Sequence, residues 1–331
     1  MKAQILQTPK PAEQNPLESA DIPVPVPGPD DIRIHVHVCG ACRTDLHIAE
    51  GELPPKKSPL IPGHQIVGVI DRAGANVKRF TTGDRVGVTW FHSSCGQCDY
   101  CKKGLENLCD SAQFTGYDVD GGYAEYTVVP AAYAFPLPEG FPDTQAAPLL
   151  CAGVIGYRSL RLSEIRPGER LGLYGFGASA HVTIQVARHL GCEVYVFTRS
   201  TAHREHAAEL GAVWTGSAGD DPPALMDSSI IFAPAGEIVP EALRVLKKGG
   251  TLAINAVHMS PIPEMAYDRI YFERTVRSIA NLTRRDAEEL LKLAAEIPLH
   301  TDVEIYPLTE ANEVLKRMKR SEIRGAAVLE V

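Results

Sequence analysis

The stretch LGLYGFGASAHVTIQVARHLG, residues 171–191, joins a short apolar run to a glycine-rich turn and then to an amphipathic segment. Residues 171–174 have the length and apolarity of a buried strand. Beyond the turn, Val182, Val186 and Leu190 fall on one helical face, and Gly191 marks the stop. The turn itself reads Gly175-x-Gly177-x-x-Ala180. Gly175 permits a tight bend, Gly177 lets backbone approach a pyrophosphate at the helix N-terminus, and Ala180 keeps helix and strand close. Alone this spacing is weak evidence; between a strand and a helix it is the context a dinucleotide site requires. An ordinary glycine-rich turn is the competing reading.

Working outward, the same alternation continues. Residues 193–197 read as a strand and 201–210 as a helix closed by Gly211. Residues 229–232 form a strand, 239–247 a helix and 251–254 a further strand. This pattern predicts a doubly wound parallel sheet. A site for NAD(H) usually carries an acid about 20 residues after the first glycine, on the ribose hydroxyls. Here the second strand ends in Thr198-Arg199-Ser200 instead. A carboxylate would repel a 2′-phosphate, whereas Arg199 would attract it and the two hydroxyls would bond it. The expected cofactor is therefore NADP(H) in preference to NAD(H), with a solvated surface Arg199 as the alternative.

The first 150 residues have another texture, rich in Gly and Pro with short β-like runs. Residues 32–38 alternate apolar positions with Arg33, His35 and His37, as a half-buried strand does. Residues 66–70, 85–88 and 124–129 read as further strands, and Pro25, Pro27 and Pro29 as loop. The C-terminal part alternates again: a helix over 285–295, a strand over 303–306, a helix over 309–320 and a closing strand over 325–331.

The chain has 331 residues, enough for two domains, with 44% hydrophobic and 22% charged residues. That is a globular composition. A net charge of −8 argues against nucleic acid or an anionic membrane as the main partner. No apolar run is long enough for a transmembrane helix, and the opening MKAQILQTPK lacks the apolar core of a signal peptide, so a cytoplasmic location is expected.

There, eight cysteines suggest metal before disulfides. Cys95, Cys98, Cys101 and Cys109 are spaced C-x2-C-x2-C-x7-C, with turn residues Gly96 and Gly104 between them. Four thiolates in one short loop suit a tetrahedral structural zinc with no open position. An iron–sulfur cluster is the rival, but its fourth cysteine sits nearer and precedes a proline; here Asp110 follows. A nucleic-acid zinc ribbon would need a basic excess that this loop lacks. Three more candidates are scattered: Cys42 in ACRTDLH, His64 in PGHQIVG and Cys151 in LLCAGV. Two cysteines and a histidine are a ligand set for a catalytic zinc with one open position. Spacing does not show that they converge, and each alone reads as an ordinary core or polar residue.

The segments ACRTDLH, PGHQIVGVI, GDRVGV, CGQCDYCKKGLENLC, DGGYAEY, CAGVIGY and YGFGASA follow one another along nearly the whole chain. In order and spacing they resemble the zinc-containing medium-chain alcohol dehydrogenases. The resemblance implies a GroES-like, β-rich catalytic domain over 1–152 and 283–331, and a Rossmann domain over 153–282. It implies two zinc ions per chain and hydride transfer between NADP(H) and small-to-medium primary alcohols or aldehydes.

By the same resemblance, Cys42, His64 and Cys151 ligate the catalytic zinc, and Cys39 does not. Asp45 orients His64, Thr44 meets the substrate oxygen, and His47 ends a proton relay at solvent. Arg43, and Arg284 or its neighbour Arg285, meet the cofactor. Trp90 and Tyr117 line the substrate pocket. Gln65 stands where the family usually has Glu, so it is a poorer zinc ligand and adds no negative charge. A homodimer or homotetramer is implied. The alternatives are a metal-free quinone or enoyl reductase of the same superfamily, and a non-catalytic NADP-binding protein.

Overall fold

A computed structural model describes residues 1–297 and 299–331. The chain forms two compact units, one of Met1–Cys151, Asn281–Glu296 and His300–Val331, the other of Ala152–Ala280 with Ile297–Leu299.

The first unit is built on a seven-stranded sheet. Its path runs Val303–Pro307, Ala326–Glu330, Asp31–Ala41, Gln65–Ala73, Arg85–Val88 and Ala134–Pro136. Tyr126–Pro130 also pairs with the early part of Asp31–Ala41. The central strand behaves as its alternation predicts: Ile32, Ile34, Val36 and Val38 are buried, while His35 faces solvent. Ile32, Ile34 and Val36 join one core with Ile48, Leu60, Ile66, Ile70, Val314 and Leu329. Ala134–Pro136 and the following features escaped the sequence reading. Lys2–Leu6 and Leu17–Asp21 form an N-terminal antiparallel pair, and Arg43–Glu50 is a helix.

The second unit is a six-stranded parallel sheet in the order Trp214–Gly216, Glu193–Phe197, Arg170–Tyr174, Met226–Ile231, Leu246–Ile254, Thr275–Ser278. Its strand order, 3-2-1-4-5-6, is that of the dinucleotide-binding doubly wound fold. Tyr174 stacks on Phe197 with ring centroids 4.2 Å apart, bonding the two central strands side chain to side chain.

Two details differ from expectation. The helix placed over 239–247 is Ile238–Arg244, and the next strand starts at Leu246 rather than 251. Fully buried Leu246 pairs with Met226, so sheet burial wins over helical continuation. Leu190 is 36% exposed, because it caps the helix Ala178–His189 and lies beyond its buried face. No described helix is long and apolar enough to cross a membrane.

Candidate active site

Cys42 and His64 come from two neighbouring strands. Asp31–Ala41 ends one residue before Cys42, and Gln65–Ala73 begins one residue after His64. The strands are antiparallel with Gly40 opposite Gln65, so the two ligands emerge at the same end. Cys151 follows the 3-10 turn Ala147–Leu150, all four of whose residues are buried. The Cys42 Sγ lies 3.4 Å from His64 Nε2. The donor atoms of Cys42, His64 and Cys151 all lie within 4.8 Å of one another. Ligands on one tetrahedral zinc stand about 3.5–4 Å apart given bonds of about 2.0–2.3 Å, so this trio fits such an ion.

The helix Arg43–Glu50 organises the rest. Cys42 is its N-cap and its sulfur accepts from the Thr44 N–H at 3.3 Å. Asp45 completes the capping box by accepting the Cys42 N–H at 2.8 Å. Its other oxygen accepts from His64 Nδ1 at 3.1 Å, which leaves Nε2 turned to the sulfurs. Burial works against a charged His64, yet the Asp45 carboxylate and the Cys42 sulfur hold its pKa up at about 10. The Cys42 thiol is drawn well below its ordinary value, first by a hydrogen bond with Cys151 and then by His64, against burial. Burial instead pushes the Cys39 thiol well up. The two members of C-x-x-C are thus driven in opposite directions.

The remaining expected residues are spread around this centre. Thr44 is half-buried beside Cys42. His47, one turn further, is partly exposed and pairs with Glu52. Arg43 is exposed and donates to Ser321 at 2.9 Å. Gln65 is 3% exposed, and its Nε2 has no hydrogen-bond partner. Trp90 meets His64 edge-on at 5.0 Å and stacks with Tyr117 at 5.8 Å. Phe114, absent from the sequence reading, stacks on Trp90 at 5.1 Å and extends the aromatic wall. No spacing rule marks a lone Phe for that place.

Cys95, Cys98, Cys101 and Cys109 also converge, with all sulfurs within 4.8 Å of one another. Sγ–Sγ distances include 3.5 Å for Cys98–Cys101 and for Cys95–Cys109. Backbone N–H groups of Gln97 and Cys98 draw the Cys95 thiol down to about 6. All eight cysteines are free thiols. Four thiolates on one centre are a closed structural-zinc set.

Arg284 does not stand free for a phosphate. Its guanidinium donates to Glu106 Oε2 at 2.7 and 3.0 Å and to Oε1 at 3.1 Å, and its backbone N–H donates to Oε1 at 2.8 Å. It also lies over the Tyr133 ring at 4.8 Å. Glu106, only 6% exposed, sits three residues before Cys109, so Arg284 braces the cysteine loop. Arg285 pairs with Glu289 at 2.6 Å.

In the second unit Gly175 adopts φ +88°, where a Cβ would crowd Ala233. A Cβ on Gly177 would meet no protein atom within 4 Å. That open approach to the N-terminus of Ala178–His189 fits a pyrophosphate. Ala180 is fully buried, as close packing needs. Ser200 caps the next helix, accepting from the His203 N–H at 3.3 Å. The Thr198 carbonyl is taken by Arg204 at 2.8 Å. Arg199 is exposed, and among the described residues it has no hydrogen-bond or ion-pair partner.

Residues 28–139 match the family model of the alcohol dehydrogenase GroES-like domain, and residues 180–296 that of the zinc-binding dehydrogenases. The chain is 46% identical to the "Probable alcohol dehydrogenase AdhA" of Mycobacterium tuberculosis, covering 99% of this chain and 97% of that one. It is 35% identical to an alcohol dehydrogenase of Geobacillus stearothermophilus over the full length of both. Among solved structures, a cinnamyl alcohol dehydrogenase of Sorghum bicolor superposes with a TM-score of 0.89 at 29% identity, covering 99% of this chain and 97% of that one. One from Helicobacter pylori, solved in complex with NADP(H), gives 0.86 at 25% identity, covering 100% and 99%. With two domain matches in the expected order and relatives this similar from end to end, the chain belongs to the zinc-containing medium-chain alcohol dehydrogenase family.

Proposed function

We propose that the chain is a zinc-dependent alcohol dehydrogenase or aldehyde reductase that transfers hydride between NADP(H) and small-to-medium primary alcohols or aldehydes. The observation that carries this reading is the convergence of Cys42, His64 and Cys151 on one point, with Thr44 on the adjoining helix turn. When bound there, zinc would supply Lewis-acid polarisation of the substrate oxygen, and the nicotinamide would supply or accept the hydride. The chain's own residues do the rest. Cys42, His64 and Cys151 hold the metal through two thiolates and one imidazole. Asp45 keeps the proton on His64 Nδ1, so that Nε2 is the donor. Thr44 hydrogen-bonds the substrate oxygen and receives its proton as it gives up its own hydroxyl proton, and His47, partly exposed one turn along, is the solvent-side end of that relay. Gln65 stays an uncharged neighbour. Trp90, Tyr117 and Phe114 offer stacked aromatic faces beside His64, which suits an apolar substrate body.

Cys95, Cys98, Cys101 and Cys109 would hold a second, purely structural zinc. Gly175, Gly177 and Ala180 would admit the pyrophosphate, while Arg199, with Thr198 and Ser200 beside it, favours a 2′-phosphate over the two ribose hydroxyls. Arg43 could reach a phosphate only by leaving Ser321, and Arg284 only by leaving Glu106. The strand Thr275–Ser278 is an edge of its sheet, with Val276 42% exposed. An open, largely exposed edge strand supports a homodimer or homotetramer. Free thiols throughout fit the reducing cytoplasm.

The reading is tested by zinc content and by steady-state rates with NADPH and NADH across a short aldehyde panel. Expected are two zinc ions per chain, chelator-sensitive reduction, and faster turnover with NADPH. Reduction that persists after full metal removal would instead place the chain among the metal-free quinone or enoyl reductases.

A further inference from the structure

The segment DGGYAEY, residues 120–126, takes no part in the reading above, although it lies directly against the turn that carries His64. Three backbone hydrogen bonds lace the two together: Gly121 N–H to Ile61 O at 2.7 Å, Tyr123 N–H to Pro62 O at 3.0 Å, and Gly122 N–H to Gly63 O at 2.9 Å. From its other side the Tyr123 carbonyl accepts the Gln4 N–H at 2.8 Å. The Tyr123 ring then packs on Gly63 so closely that a Cβ there would come within 2.3 Å of its Cδ1. Gly63 also has φ +94°, so both space and backbone demand glycine next to His64.

Asp45 supplies the second observation. A carboxylate offers about four acceptor directions. Three are filled: Oδ1 accepts the Gly63 N–H at 3.2 Å and His64 Nδ1 at 3.1 Å, and Oδ2 accepts the Cys42 N–H at 2.8 Å. Asp45 is 1% exposed, so solvent has no access to the fourth. Tyr123 is likewise 1% exposed, and its hydroxyl has no well-formed hydrogen bond, although Asp45 is the carboxylate close enough to act on it. A buried donor without an acceptor is costly, and here the Asp45 carboxylate, bonded to the Gly63 N–H under the Tyr123 ring, has a spare lone pair. Burial pushes the Tyr123 phenol well above its ordinary value, and the charge of Asp45 pushes it further, ahead of Cys39 and Cys42.

We propose that Tyr123 is a positioning residue of the metal site: in the loaded site its hydroxyl donates the fourth hydrogen bond to Asp45, and so holds His64 on the metal. The inference rests on the zinc reading of Cys42, His64 and Cys151. The phenol proton stays on Tyr123 and the imidazole proton on His64, so Asp45 remains an anion fixed from four sides. The aromatic ring supplies the packing on Gly63, and only the hydroxyl supplies the hydrogen bond, so the two roles separate in Tyr123→Phe.

The test uses the zinc-loaded full chain. Release of the labile zinc to a chelator is followed with a metal-sensitive dye, and the cobalt-substituted protein is compared by its ligand-field and thiolate-to-metal absorption. Tyr123→Phe is expected to lose this zinc about tenfold faster than the parent, in the range found for outer partners of metal ligands, and to shift the cobalt bands. In an Asp45→Asn background the same substitution is expected to change release less than about twofold, since the acceptor is already altered. Unchanged release and unchanged cobalt bands in Tyr123→Phe would overturn the proposal, as would an equal effect in both backgrounds. Should Asp45→Asn not fold, release and spectrum of the single variant decide. If Cys42→Ser leaves zinc content and the parent cobalt spectrum untouched, the metal reading itself falls, and this inference with it.

Discussion

Asp45 accepts a hydrogen bond from His64 Nδ1 at 3.1 Å while also accepting the Cys42 N–H at 2.8 Å. One carboxylate therefore orients one proposed ligand and caps the helix that begins at another. Asp45→Asn keeps the shape but offers a single acceptor oxygen, and its NH2 opposes either the His64 or the Cys42 donor. Zinc affinity and kcat/KM are expected to fall about 10- to 100-fold. Zinc content after dialysis against graded chelator, together with aldehyde reduction rates, checks this. Parental zinc retention would remove Asp45 from the metal site.

The two cysteine sets have different jobs, and single substitutions distinguish them. Cys42→Ser should abolish aldehyde reduction and remove one zinc equivalent while leaving the fold intact. Cys98→Ser should also remove one equivalent, but its main effect should be a lower unfolding temperature, since a closed four-thiolate site contributes to folding. Metal analysis alongside thermal unfolding and activity gives the pattern. Full activity with two zinc ions in Cys42→Ser would refute the assignment.

Much of this was legible in the sequence, for physical reasons. The strand 193–197 and the helix over 178–189 follow from hydrophobic period and glycine punctuation, both local properties. The cysteine loop follows from spacing alone, because its ligands are close in sequence. The Cys42–His64–Cys151 set does not, because its 109-residue span is closed only by the pairing of Asp31–Ala41 with Gln65–Ala73 and by the turn before Cys151. Tyr123, Glu106 and Phe114 were illegible for the same reason. A lone Tyr, Glu or Phe carries no period, and its meaning is set by a partner far along the chain. Arg284 was also illegible in part: read toward a phosphate, its guanidinium is engaged by Glu106 178 residues away.

That pair makes a stability prediction. The Glu106 carboxylate is 8% exposed at its side chain and Arg284 is 40% exposed. Glu106→Gln keeps the volume but replaces a bidentate, charge-assisted contact with a neutral one. A hydrogen bond to a charged group contributes about 1.5–3 kcal/mol when shielded, and less at a half-exposed partner. The expected loss is about 1–2 kcal/mol, read as a lower denaturation midpoint. Release of zinc from the four-cysteine loop should quicken with it. A midpoint equal to the parent's would show that Arg284 contributes nothing as a brace.

Cofactor choice turns on Arg199, which is exposed and projects from the end of the strand Glu193–Phe197. Arg199→Asp replaces an attraction for a 2′-phosphate by a repulsion and supplies the acid that ribose hydroxyls prefer. Loss of a charge-assisted contact to phosphate of about 1.5–3 kcal/mol corresponds to roughly a 10- to 100-fold rise in KM for NADPH. KM for NADH should stay level or fall. Initial rates with both cofactors, at fixed aldehyde, provide the comparison. A parent that turns over NADH as well as NADPH would already refute the role given to Arg199.

Asp227, in the second unit, gives a pH-dependent prediction that involves no proposed metal ligand. Burial alone would raise its pKa, but Lys247 Nζ at 2.5 Å and the Arg170 N–H at 2.9 Å outweigh it and hold the carboxyl below its ordinary value. The folded pKa thus lies under the unfolded one, near 3.9. Such a group stabilises the fold above the unfolded pKa, and that contribution is lost as pH falls through the folded pKa. Asp227→Asn should therefore be less stable than the parent at pH 7, by about 1 kcal/mol for a partly exposed pair. The gap should narrow as the pH drops through the acid range. Urea unfolding of both proteins at several pH values measures the gap directly, and zinc loss in acid, common to both, cancels in the difference. A gap that stays constant with pH would mean that Asp227 acts through packing and not through its charge.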